Sequence, residues 1–211
     1  MDSAKTAAAM AMNLGDVGNY LAYTEDRLKE KPLPKILLPT TSGTGSEVSM
    51  YAVIVDTKGV KNYITSPRML AETAIIDPLN VITCPPKQTA ASGIDVIAHS
   101  MENVLSLGFT PFSDMFGLQS IKLAAQNLRT AYYWGDNLEA RYNMALAALM
   151  GGLVMGATPA GANIGHCISE SLGPMYNVSH GVACGIVTPY MMDYNMPCLL
   201  YTSDAADEED S

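Results

Sequence analysis

A chain of 211 residues is long enough to bury a substantial core as one domain or two. Twelve lysines and arginines against 21 aspartates and glutamates leave a net charge of −9 with no basic run, which excludes a nucleic-acid partner. The four cysteines, Cys84, Cys167, Cys184 and Cys198, form no CxxC pair and sit mostly in apolar surroundings, as reduced, buried thiols of a cytoplasmic protein do.

Residues 2–14 are rich in alanine and methionine and predict a helix ended by Gly15-Asp16. The early Asp2 and Lys5, with no charged leader before a continuous apolar run, argue against a signal peptide. A charged stretch with Pro32 and Pro34 leads into KILLPTT, a short strand candidate stopped by Pro39. After TTSGTGSEVS come three further strand-like runs, MYAVIVD, KNYITS and ETAIIDP, punctuated by Lys58-Gly59, Pro67 and Pro78. The first third is therefore α/β in texture.

Beyond Pro85-Pro86 the pattern becomes helical. Candidate helices are 88–106, 111–131, 138–156, and pieces within 161–173 and 180–196. The second has Thr110 as cap, Pro111 at its first position, and Met115, Leu118, Ile121 and Ala125 on one face. Residues 145–165 carry no charge over the length of a membrane span, but they are built of Ala and Gly and broken by Pro159, so a buried helix followed by a bend is expected. The terminal DAADEEDS reads as a solvated tail.

Only three histidines occur, His99, His166 and His180. Asp95 and His99 are four apart and share a face if their segment is helical, and His166 and His180 bracket an expected loop. One such histidine is more often a core or surface residue than a ligand, but all three with Asp95 make a four-ligand set suited to a borderline divalent ion such as Fe(II) or Zn(II), and also Co(II) or Ni(II). TTSGTGSE packs two glycines among hydroxyl residues just after a strand; such a loop is either a plain turn or a contact to nucleotide phosphate or ribose.

In order along the chain, PTTSGTGSEVS, AIIDP, TAASGIDVIAHSME, PFSD, GDNLEARYNM and GHCISESLGPMYNVSHG together resemble the iron-containing, or group III, alcohol dehydrogenase family, from residue 1 to about 196. The resemblance implies a two-domain protein, α/β plus all-α, of the dehydroquinate synthase-like fold, incomplete in this chain. Residues 1–86 would be the remainder of the dinucleotide-binding domain, 87–200 the truncated helical metal-binding domain, and 201–211 an acidic tail. In the family a GGGS turn precedes a DxAK helix, and this chain opens MDSAK, so Asp2 and Lys5 match residues just after that turn. On the order of a hundred residues of the cofactor domain, and further C-terminal helices, are expected to lie outside the chain.

By resemblance, Asp95, His99, His166 and His180 hold Fe(II), with Zn(II) the other candidate, and Asp2, Lys5, Thr40, Thr41, Gly43 and Ser46 contact NAD or NADP. The implied reaction is reversible hydride transfer between NAD(P) and a primary alcohol or aldehyde, in a homo-oligomeric parent enzyme with no nucleic-acid or membrane partner. Many members carry a histidine four residues after the third ligand; here Glu170 stands there, as a candidate proton relay or substrate contact. Two alternatives differ in class. One is an NAD- and metal-dependent lyase or synthase of the related fold, which would want arginines and lysines for a phosphorylated or carboxylated substrate, where the helical region has only Lys87, Lys122, Arg129 and Arg141, none beside the proposed ligands. The other is an inert truncated product acting as a helical binding module.

Overall fold

The computed structural model describes residues 1–22, 25–108, 110–157 and 164–209. The alanine-rich start forms α1, Asp2–Met10, shorter than the helix expected over 2–14. Asn13 ends it: its Nδ2 donates to Ala9 O at 2.9 Å and Glu30 O at 3.0 Å, while its Oδ1 accepts from the backbone N–H of Lys29 and Glu30.

Of the four strand-like runs, two are reduced to fragments. KILLPTT yields β1, Ile36–Leu37, and ETAIIDP yields β4, Thr73–Ala74, and these pair in parallel over two residues. The other two, β2 (Tyr51–Val55) and β3 (Lys61–Thr65), form an antiparallel hairpin. Its turn is held by the Asp56 carboxylate, which accepts from Lys58 N at 2.8 Å and Val60 N at 2.9 Å. Strand alternation divides the hairpin. Ala52 and Ile64 enter a core with Ala9, Tyr20, Leu28 and Met69, while Tyr51, Val53, Lys61 and Tyr63 share the other face.

Five helices follow: α2 (Pro86–Val104), α3 (Pro111–Tyr133), α4 (Leu138–Ala157), α5 (Ile164–Tyr176) and α6 (His180–Glu209). α3 begins with a capping box between Thr110 and Ser113, and Pro111 occupies its first turn. The face expected to be buried is wrong, however. Met115 and Leu118 are more than half exposed, and Ser113, Gly117, Ser120, Ala124 and Ala131 are buried instead. The reason is close helix packing: Ser100 Oγ donates to Ser120 Oγ and Ser120 Oγ to Ala147 O, both at 2.7 Å, which requires small residues where α2, α3 and α4 meet. The core there is correspondingly small-chained, with Val96, Ala124, Ala131, Ala140, Met144, Ala147 and Ala148.

α6 runs past Pro189 and Pro197 through the expected acidic tail to Glu209. Each proline removes one N–H from the ladder, and here the remaining bonds carry the helix on. Among the described residues no helix is long and apolar enough to cross a membrane. The expected bend at Pro159 lies outside the described residues.

The thiols also depart from expectation, since Cys84 is half-buried, Cys167 exposed and Cys184 buried; Cys198 lies where side chains are not described. Arg141, buried on α4, donates to Gly135 O, Thr89 Oγ1, Ile82 O and Cys84 O, binding the segment before α2 to the bundle.

The Thr40–Glu47 loop meets α4 through glycine on both sides. A Cβ on Gly45, whose φ is +61°, would lie 2.5 Å from both Ala148 O and Gly152 Cα. Gly45→Ala is therefore expected to lose about 2–4 kcal/mol, combining a left-handed penalty with backbone overlap. Gly59→Ala, at φ +80° with nothing within 4 Å, should lose only about 1 kcal/mol. Urea unfolding of the two variants measures the difference, and equal losses would mean the Gly45–Gly152 contact contributes nothing.

Candidate metal centre

Three helices converge on one point. α2 carries Asp95 and His99 one turn apart, α5 brings His166 in its first turn, and α6 begins with His180. Between the last two lie the rest of α5 and a tight turn rather than a long loop. Asn177 takes the left-handed conformation (φ 52°), and Val178 N–H closes on Gly173 O at 2.9 Å.

One ligand atom from each of Asp95, His99, His166 and His180 lies within 4.8 Å of all the others. Asp95 Oδ1 is the hub, 3.7 Å from His99 Nδ1 and 3.6 Å from both His166 Nε2 and His180 Nε2. The His99 and His166 rings stack at 4.2 Å, and His180 stands edge-on to His166 at 5.3 Å. Asp95, His99 and His166 are almost fully buried, whereas a quarter of the His180 side chain is exposed.

Asp95 Oδ1 is buried and has no hydrogen-bond partner. An oxygen left so would cost a folded protein on the order of 1–3 kcal/mol or more. Donors 3.6–3.7 Å apart are spaced as ligands that share one small divalent ion, whose bonds to nitrogen and oxygen are about 2.0–2.2 Å. The donor set fits such an ion.

The protonation pattern agrees. Burial, with the like charges of His166 and His180, holds His99 down to about 3 against the pull of Asp95. Burial likewise lowers His180 to about 4, with Lys61 adding to the effect. Both imidazoles are neutral near pH 7 and have lone pairs to offer. Burial also opposes charge on His166, but the nearby Asp95 carboxylate, Cys184 and the hydrogen-bonded Glu102 outweigh it and raise this group well above the ordinary range. Burial would raise Asp95, yet the three histidines hold its carboxyl below the usual range.

Two neighbours of the cluster escape the sequence reading. Glu102 Oε1 lies 2.6 Å from His166 Nδ1, and its place three residues after His99 on α2 was the available signal. Cys184 Sγ lies 3.2 Å from Ser169 Oγ and 3.7–3.9 Å from nitrogens of His166 and His180. It is one turn after His180.

A cavity of about 140 Å³ opens onto the cluster. It is lined by His99, His166, His180 and Glu170 of the helices, by Tyr51, Val53, Lys61 and Tyr63 of the hairpin, and by Asp2 and Ser46. Glu170, half-buried one turn beyond His166, is among the residues lining this cavity; burial raises its carboxyl and Lys61 opposes the shift.

The cofactor candidates divide. Asp2 and Ser46 share the cavity and hydrogen-bond to each other, and Asp2 Oδ2 also accepts from Val53 N at 3.0 Å. Lys5 is fully buried, its Nζ donating to Ser46 O, Ser49 O and Tyr51 O at 2.9, 2.8 and 2.5 Å. Thr40, Thr41 and Gly43 do not line the cavity; a Cβ on Gly43 would meet Ser92 of α2 at 3.0 Å.

Residues 89–208 match the Fe-containing alcohol dehydrogenase family, C-terminal, and residues 1–78 match iron-containing alcohol dehydrogenase. The chain belongs to the iron-containing alcohol dehydrogenase family. Long-chain-alcohol dehydrogenase 1 of Geobacillus thermodenitrificans is 39% identical over 196 residues, 92% of this chain and 49% of that protein. A crystal structure of 1,3-propanediol oxidoreductase superposes with a TM-score of 0.87 at 35% identity, covering 92% of this chain and 50% of that one. Sulfoacetaldehyde reductase from Bifidobacterium kashiwanohense, solved with NAD+, gives 0.85 at 33% identity, with 92% and 51% covered. The fold is thus that of the iron-containing alcohol dehydrogenases, incompletely represented, since the chain spans about half the length of the curated relatives it matches.

Proposed function

We propose that this chain supplies the metal-holding side of an NAD(P)-dependent alcohol or aldehyde oxidoreductase. The observation that carries the reading is the unpartnered Asp95 Oδ1 ringed by three imidazoles. Asp95, His99, His166 and His180 hold Fe(II), or Zn(II), and the boundary between cofactor and metal domains falls at residues 86/87. A divalent ion there would polarise the oxygen of a primary alcohol as a Lewis acid, and NAD(P) would accept the hydride. The relatives support this, being named as dehydrogenases or reductases of alcohols and aldehydes.

The chain's own residues set the surroundings. Tyr51, Val53 and Met155 give the cavity apolar walls that limit water beside the cluster. Glu170 reaches the same space and takes or returns the alcohol proton. Asp2 and Lys5 act on the cofactor side by shaping the 46–53 segment. The lyase alternative gains nothing from Arg141, which is buried and spent on backbone carbonyls and Thr89.

Metal analysis of the anaerobically purified chain tests the reading. One equivalent of iron or zinc is expected, and metal-free, folded protein would count against it. Glu170→Gln should leave that stoichiometry at one and lower alcohol-dependent NAD(P) reduction about 100-fold. Unchanged turnover would remove Glu170 from the proton route.

A further inference from the structure

We infer that Glu102 is a positioning residue that fixes the tautomer and ring angle of His166, and that Gly165 exists to admit its carboxylate. This rests on the metal reading above, but on different atoms. On α2, Asp95, His99 and Glu102 follow at spacings of four and three, so all three project from one face over two turns. The first two reach the cluster; Glu102, 3% exposed, stops behind His166 and accepts from its Nδ1 at 2.6 Å. With an ion in the cluster, a carboxylate at Nδ1 would keep the ring proton there and leave the Nε2 lone pair, beside Asp95 Oδ1, for the ion. The imidazole is then held on three sides: by this bond, by the stacked His99 ring, and by the edge of His180.

Gly165 supplies an independent sign. A Cβ at this position would collide with Glu102 Oε1, so the residue before His166 has no room for any side chain while the carboxylate is in place. The local sequence pairs the histidine with the vacancy its support needs. Outer hydrogen bonds of this kind typically alter metal affinity 10- to 100-fold.

The test is zinc affinity, measured by competition with a chromophoric chelator, on the full chain with folding followed by circular dichroism. Glu102→Ala should weaken zinc about 10- to 100-fold, Glu102→Gln, which keeps an acceptor oxygen, distinctly less, and Gly165→Ala about as much as Glu102→Ala. Because both substitutions act through one carboxylate, Gly165→Ala should have almost no further effect once Glu102 is alanine. Additive losses, or wild-type affinity in Glu102→Ala and Gly165→Ala while His180→Ala loses zinc, would overturn the inference and leave the metal reading standing. Wild-type chain that binds no zinc would overturn both. If Glu102→Ala fails to fold, the order of wild type, Glu102→Gln and Gly165→Ala decides the matter: equal affinities overturn the inference.

Discussion

Asp95→Ala is expected to weaken divalent-metal binding by about a thousandfold. Four-ligand protein sites for zinc are worth about 10–16 kcal/mol, so one ligand in four carries about 2.5–4 kcal/mol, roughly two to three decades in affinity, and the anionic ligand belongs at the upper end. Asp95 should carry at least its share, because its Oδ1 lies 3.6–3.7 Å from a nitrogen of each of the three imidazoles and belongs to the anionic member of the set. His180→Ala should weaken binding less, since its ring is a quarter exposed and water can enter the position it leaves. Isothermal titration with zinc, beside circular dichroism to confirm folding, gives both numbers. Full stoichiometry in Asp95→Ala at wild-type affinity would refute the assignment of the cluster.

The second large effect is on stability. Lys5→Met is expected to lose roughly 3–6 kcal/mol, because three carbonyls, those of Ser46, Ser49 and Tyr51, lose their shared donor. Whole domains are stable by only about 5–15 kcal/mol, so the variant should be partly unfolded under ordinary conditions. The pH dependence gives an independent signature. Burial pulls the Lys5 amine from 10.5 down to about 8, with Lys35 adding to it and Asp2 and Glu47 opposing. Between those two values the unfolded chain holds a proton that the folded chain has released, so stability should climb as pH rises from 8 to 10.5. The climb is on the order of 3 kcal/mol and should be absent from Lys5→Met. Chemical denaturation at pH 7.5, 9 and 10.5 compares the two proteins. If Lys5→Met instead folds normally and loses only NAD(P) binding, Lys5 is a cofactor ligand and not an internal strut.

The site was legible in the sequence where the chemistry is scarce and the spacing local. Three histidines in 211 residues, one of them four after an aspartate, left few ways to build a ligand set. Glu102 was overlooked although it obeys the same helical period, because glutamate on a helix ordinarily marks a solvated face. Lys5 was placed on the cofactor side by resemblance alone, and the three carbonyls around its amine, from residues 46, 49 and 51, are brought there only by tertiary structure. On α3 the large side chains misled, since Ser120 and Ala124 were needed at the tight helix crossings and Met115 and Leu118 were left outside. The runs around Ile36 and Thr73 promised strands of ordinary length, but strand length is set by a partner far along the chain, and theirs spans two residues.

The uneven burial of the cluster also bears on how an ion would come and go. Asp95, His99 and His166 are almost fully buried, while a quarter of the His180 side chain is exposed and the cavity beside the cluster is lined by His99, His166 and His180. The three buried groups would form a preset cup, and His180 would be the last ligand to close on an ion and the first to release it. Substitutions beside His180 would therefore act on the rates of uptake and loss, and those behind Asp95 and His99 on affinity.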